Sequence, residues 1–253
     1  MYVALYYVVS SGISNLAYWW LVSAAELSAT GARKILVDNS YILTVANWCV
    51  CLGLYILIGK IRKTPVKSIV SIKKEPPVVY WMIAALAMGC RLLVAVYYHF
   101  SLKTDVLARS IENAAVSNPD INTWLQAVLF VCCATFVAAF FEEILFRVLV
   151  MGELLKIMRP WAAIGLQAVV FGLVHGSLFQ SIFAFFIGIV LGIIYYRTRN
   201  IKNAMTCHAV FNFSAFLMTG DLSVIGIIIF VISGILLVSL SMYYILNSVK
   251  ENN

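Results

Sequence analysis

The chain has 253 residues, 63% hydrophobic and 11% charged, with a mean hydropathy of +0.95. Soluble domains carry about 25% charged residues, so the composition excludes one and implies a polytopic membrane protein with apolar windows long enough to cross a bilayer core of about 30 Å. The net charge of +7 does not mark a nucleic-acid binder, because Lys and Arg gather in short loops, where they set topology.

In chain order the pattern reads as an all-α bundle of about eight transmembrane helices in a single integral-membrane domain, 1–253. The first helix spans 2–25, with Trp19 and Trp20 near its end, where interfacial aromatics commonly sit. It lacks a basic n-region and an A-x-A cleavage site, so it reads as a retained helix and not a signal peptide. A short polar link, 26–39, leads to the second helix, 40–59. Segment 60–77 is the most basic, with Lys60, Arg62, Lys63, Lys67, Lys73 and Lys74, and Pro76 and Pro77 stop any helix there. Its simplest role is topogenic, with anionic lipid heads as a secondary partner. The third helix, 78–98, carries Arg91, which either pairs inside the bundle or snorkels. Segment 100–122 is polar and mixed in charge, a loop or a surface helix. A long helical pattern, 124–158, ends at a turn signal, Arg159 and Pro160. Helices 161–176, 178–196, 204–219 and 222–246 follow, and no internal repeat is visible. The six cysteines all fall inside these helices without a C-x-x-C pair, as small packing residues do. Gly165, Gly172, Gly188 and Gly192 read as sites of close helix packing.

Counting Lys and Arg by alternate loops gives twelve on the side of 60–77 and four on the other. The positive-inside bias therefore predicts both termini in the cytoplasm. Short loops and the absence of a long soluble appendage favour a bacterial plasma membrane over an endoplasmic-reticulum one.

Ionisable groups inside an apolar run mark a functional site by default, and Glu142, Glu143 and Arg147 form such a group. On a helix Glu143 and Arg147 are i and i+4 with the acid N-terminal, the better orientation for an ion pair. Glu142 sits about 100° round the helix, free to face something else. Two of the three histidines, His175 and His208, also fall in apolar helices. Glu142 lies 16 residues before Met158 and His175 lies 15 after Pro160, so a hairpin turning at Arg159 and Pro160 brings them to one height. His208 and Asn212 are i and i+4 on one helix face. His208 is about 9 Å past Lys202, while the hairpin ends about 22 Å from Glu142. Matching those heights puts the hairpin tip in the cytosol and opens the site toward the cytoplasmic side. Chemically, a carboxylate beside a neutral imidazole can take a proton from water, and an imidazole N–H with an Asn N–H can hold the oxyanion that forms.

The set Glu142-Glu143-x-x-x-Arg147, Phe171-x-x-x-His175 and His208-x-x-x-Asn212 resembles, in order and spacing, the three motifs of the CPBP family, the CAAX proteases and bacteriocin-processing enzymes also called Abi proteins. The resemblance covers about 124–219, the expected catalytic core, and shows no departure at these positions. It implies an intramembrane endopeptidase similar to the type II CAAX prenyl endopeptidase. In that reading Glu142 and His175 activate water, His208 and Asn212 form the oxyanion hole, and Glu143, Arg147 and Phe171 support them. The implied substrate is a membrane-bound peptide or lipidated tail cut near the cytoplasmic face, as in peptide or bacteriocin processing. The implied mechanism uses no metal. Glu142, His175 and His208 are also the ligand types of zinc hydrolases, so zinc through those three is the alternative, although no H-E-x-x-H motif is present. Two other readings stand beside these: a structural ion-pair network, and a non-enzymatic immunity or scaffold protein that binds a peptide or toxin.

Overall fold

The computed structural model describes residues 1–63, 72–116, 118–218 and 222–248. Lys67 and Lys250, both counted in the charge asymmetry, lie outside the described residues. Among the described residues the chain forms ten helices and no strand. They are α1 (Tyr2–Ser23), α2 (Ala29–Asp38), α3 (Ser40–Ile61), α4 (Pro77–Ser101) and α5 (Asp105–Ala115). Then come α6 (Trp124–Leu154), α7 (Pro160–Leu173), α8 (Leu178–Thr198), α9 (Ile201–Ala215) and α10 (Val224–Ser248).

All eight expected helices are present, with two amphipathic additions. The link 26–39 contains α2, started by the Ser28 side chain accepting from Gly31 N, and 100–122 contains α5, which is the surface-helix alternative. The starts follow local chemistry. Pro77 and Pro160 occupy the first helical positions of α4 and α7, where a missing N–H costs nothing. Thr123 and Gln126 form a capping box at α6. The expected end of α6 at 158 is corrected to Leu154, because Lys156 and Ile157 donate to the carbonyls of Glu153 and Leu154 and tighten the chain into a turn.

Five helices, α3, α4, α6, α8 and α10, are long and apolar enough to cross a membrane. The other three of the expected eight differ for separate reasons. The tyrosines, serines and asparagine of α1 lower its hydropathy. With 14 and 15 residues, α7 and α9 rise only about 21 and 22 Å, short of a bilayer core of about 30 Å. They are the two short helices that carry the site motifs.

Within the bundle α4 packs on α9 and α10, α7 pairs with α8, and α1 lies on α3. The basic end is fastened to the hairpin tip by Arg62, which donates to Glu153 at 3.0 Å. Close approach of α7 and α8 depends on missing side chains: a Cβ at Gly172 would sit 2.7 Å from the Ser181 carbonyl, and one at Gly192 2.8 Å from Gln167 Nε2. Gly188 is similarly close to Ala168 and Phe171. Gly165 departs from the expectation, with nothing within 4 Å. Gly172→Ala is therefore expected to destabilise the protein by about 1–3 kcal/mol through overpacking against backbone. Gly165→Ala should be neutral or stabilising, since Ala favours a helix interior by about 0.5–1 kcal/mol. Melting curves of the two purified variants in one detergent check the contrast.

Candidate active site

Helix α6 is not a regular α-helix. It contains π segments at Cys133–Val137 and Ile144–Met151, flanking the short α stretch Ala138–Glu143 that presents both glutamates. Such wider turns recur at functional sites. Even so, Glu143 and Arg147 meet: Arg147 Nε lies 2.9 Å from Glu143 Oε2, and both side chains are fully buried. Arg147 also donates from Nη1 to Gln167 Oε1, and its guanidinium stands 5.0 Å over the Phe171 ring. Gln167 in turn donates to the carbonyls of Ile164 and Gly188, tying α6, α7 and α8 together.

Phe171 is the common wall. Phe146 meets its edge at 4.9 Å, His175 at 4.9 Å and His208 at 5.8 Å. Phe171 lies level with 146–147, so His175, four residues further along the antiparallel partner, lies level with 142–143, as the hairpin spacing predicts. One detail differs. The expected helix 161–176 ends at Leu173, so His175 sits in the turn after α7, where Gly176 takes φ +72°. There His175 Nδ1 is 2.7 Å from the Phe171 carbonyl. A carbonyl only accepts, so Nδ1 carries the proton and Nε2 offers its lone pair.

On α9, His208 and Asn212 share the face turned to α6. His208 Nδ1 is 2.9 Å from Glu143 Oε1, and its Nε2 is 3.8 Å from Glu142 Oε2. The two carboxylates thus divide. Glu143 is held by the charge contact to Arg147 and by His208, whereas Glu142 Oε2, also buried without a hydrogen bond among the described residues, has no cation closer than His208 Nε2. Asn212 donates to the carbonyl of Ala134 at 3.0 Å, within the first π segment, and keeps one amide N–H for another acceptor.

Two helices outside the motifs also reach the site. The Tyr6 ring packs on Trp48 at 4.5 Å, and Trp48 stacks on Phe141 at 5.4 Å. Tyr7 donates to the Val174 carbonyl at 3.0 Å, beside His175. Gln167, Tyr6 and Tyr7 went unread in the sequence. A Gln inside an apolar helix at a motif-bearing hairpin was the one visible signal. For zinc, the ligand types are present but the geometry is not: among the described residues no three His, Cys, Asp or Glu side chains converge on one point. His208 and His175 each engage Nδ1 with an oxygen acceptor, which leaves both Nε2 atoms open.

The architecture and the site define an all-α membrane protein with a carboxylate and imidazole cluster inside its bundle. Residues 123–214 match the family model for type II CAAX prenyl endopeptidase Rce1-like proteins, so this segment is similar to that family. All three motifs fall inside the match. No curated protein and no solved structure matches the chain.

Proposed function

We propose that the protein hydrolyses a peptide bond of a membrane-associated peptide or lipidated tail, using water activated by its own side chains. The observation that carries this reading is the division of the carboxylates, one locked in a buried pair and the other with an unpartnered oxygen 3.8 Å from an imidazole nitrogen. That gap is too long for a direct hydrogen bond and leaves Glu142 Oε2 free to take a water while His208 Nε2 faces the same space.

In the proposed step Glu142 takes a proton from water while the oxygen bonds to the scissile carbonyl carbon. His175 Nε2 accepts the second water hydrogen and orients the attack. The resulting oxyanion accepts from Asn212 Nδ2–H and from His208 Nε2–H, the latter requiring a ring protonated on both nitrogens with Glu142 and Glu143 as counter-charges. The C–N bond then breaks, and Glu142 returns its proton to the leaving amine. Each oxyanion donor of this kind contributes about 2.7–4 kcal/mol. Glu143, Arg147 and Phe171 fix His208 and His175 in place.

The distribution of Lys and Arg supports a multi-pass plasma-membrane protein with both termini cytoplasmic. The test is cleavage of quenched-fluorescent lipidated peptides by the full chain in vesicles, with Glu142→Ala and His208→Ala at matched insertion. Loss in both supports the reading, and full retention in both returns the protein to a binding or scaffold role. A chelator arm accompanies it: activity is expected to survive chelation, and loss restored by zinc would move Glu142, His175 and His208 to metal ligands.

A further inference from the structure

The first helix reaches the site from outside the segment that carries the motifs, and the motif residues give it no task there. Its start is fastened on both sides. The Tyr55 hydroxyl donates to the Tyr2 carbonyl at 3.1 Å and Arg62 donates to the Tyr2 hydroxyl at 3.1 Å, while Tyr7 donates to the Val174 carbonyl at 3.0 Å. Those bonds join α1 to α3 and to the turn that holds His175. Tyr6 stands between them. Its ring lies 4.5 Å from Trp48, and Trp48 is stacked within 10° of parallel on Phe141, the residue before Glu142. A side chain locked by its neighbours in this way is suited to hold a second group in place.

The polar end of Tyr6 is what packing leaves unexplained. Its hydroxyl lies within electrostatic reach of the Glu142 carboxylate, and the Asn47 side chain approaches it from α3. Asn47 is 2% exposed. Its Oδ1 accepts from Cys51 Sγ at 3.6 Å, which orients the amide, and its Nδ2 is buried without a closed hydrogen bond among the described residues. An amide N–H only donates, so the phenol oxygen is its acceptor and the phenol O–H is free for another partner. The charged group beside that O–H is Glu142, whose Oε2 is likewise buried without a hydrogen bond among the described residues. Buried polar atoms cost free energy unless they find partners, and a phenylalanine at position 6 with an apolar residue at 47 would pack the same stack without that cost.

We infer that Tyr6 is a positioning residue for the general base: its O–H donates to the Glu142 carboxylate, Asn47 holds the phenol in that orientation, and Glu142 Oε2 is left for the water. Without substrate the two groups stand side by side with the bond still open, as catalytic contacts often do before the reacting complex forms. The inference rests on the hydrolase reading for what Glu142 does, whereas the contact itself does not.

The experiment uses the full-length protein in phosphatidylcholine vesicles with two readouts. The first is cleavage of a quenched-fluorescent lipidated peptide. Tyr6→Phe should lower kcat about tenfold, the size of one hydrogen bond to a charged group, at unchanged KM and melting temperature. Placing 4-aminophenylalanine at position 6, which keeps a donor on the ring, should recover most of the loss. Asn47→Ala should have a smaller effect that vanishes in a Tyr6→Phe background, because Asn47 acts through the phenol. The second readout needs no turnover. Dicyclohexylcarbodiimide, an apolar reagent for protonated buried carboxyls, modifies Glu142, and site-resolved mass spectrometry follows it with Glu143 as internal reference. A donor at the carboxylate keeps it ionised, so Tyr6→Phe should speed Glu142 modification severalfold and leave Glu143 unchanged. In a native chain that cleaves no lipidated peptide this contrast alone decides, so the contact and the hydrolase reading stand or fall separately. Equal labelling of Glu142 in the native and Tyr6→Phe proteins overturns the inference, as does an unchanged kcat in an active enzyme. A loss confined to KM overturns it by making Tyr6 a substrate contact, and a loss accompanied by a lower melting temperature and faster Glu143 labelling does so by making it packing.

Discussion

Glu142→Gln is expected to lower kcat by at least about 10²–10⁴, the usual contribution of a positioned general base, while the protein inserts and melts like the native chain. The amide keeps the size of the side chain but cannot take the proton from water. The fold should tolerate it because Glu142 stands apart from the buried pair: its side chain is 21% exposed, whereas those of Glu143 and Arg147 are fully buried. Glu143→Gln makes the informative contrast. It weakens the contact to Arg147 and the acceptor for His208 together, so it should reduce both melting temperature and turnover. His208→Ala should cost about 10²–10³ in kcat if one oxyanion donor is lost. Parallel vesicle assays and detergent melts of the three variants separate chemistry from support. Turnover preserved in Glu142→Gln would exclude Glu142 as the base and leave the two glutamates as a structural pair.

How much of this was legible in the chain depends on which interactions are local. The Glu143–Arg147 pair and the shared face of His208 and Asn212 follow from helical rise, are short-range, and recur in the contacts of both faces. What the sequence withheld is long-range or sub-helical. The π turns at Cys133–Val137 and Ile144–Met151 have no clear residue signature, yet one of them supplies the Ala134 carbonyl that engages Asn212. Gln167 matters only because α8 passes close enough at Gly188 to accept from it. Tyr6 and Tyr7 reach the site from the first helix, far outside the motif segment, and nothing in local spacing could connect them. Of the eight expected crossings, five are long and apolar enough by themselves; α7 and α9 fall short because apolarity continues into turns that end the helices early, and α1 because of its polar residues. Hydropathy does not see a cap, and His175 sits beyond one.

Arg147→Met is expected to be the most damaging single substitution for stability, costing about 3–5 kcal/mol, the penalty for stranding one partner of a buried ion pair. The physical reason is what remains. Glu143 would stay fully buried with His208 as its one strong partner, Gln167 Oε1 would lose its donor, and Phe171 would lose the cation over its face. Arg147→Lys should recover little, because a single ammonium cannot reach Glu143 and Gln167 in the geometry of the planar fork. The compensating variant carries the argument further. Replacing both partners, as Glu143→Leu with Arg147→Met, removes the stranded charge, and such swaps are often neutral or stabilising elsewhere. It should therefore recover much of the melting temperature while leaving turnover low, since His208 then has no acceptor at Nδ1. A double variant as unstable as Arg147→Met would mean that packing of the guanidinium stem, and not charge, holds the three helices together. A double variant that is stable and still active would remove Glu143 from the support of His208.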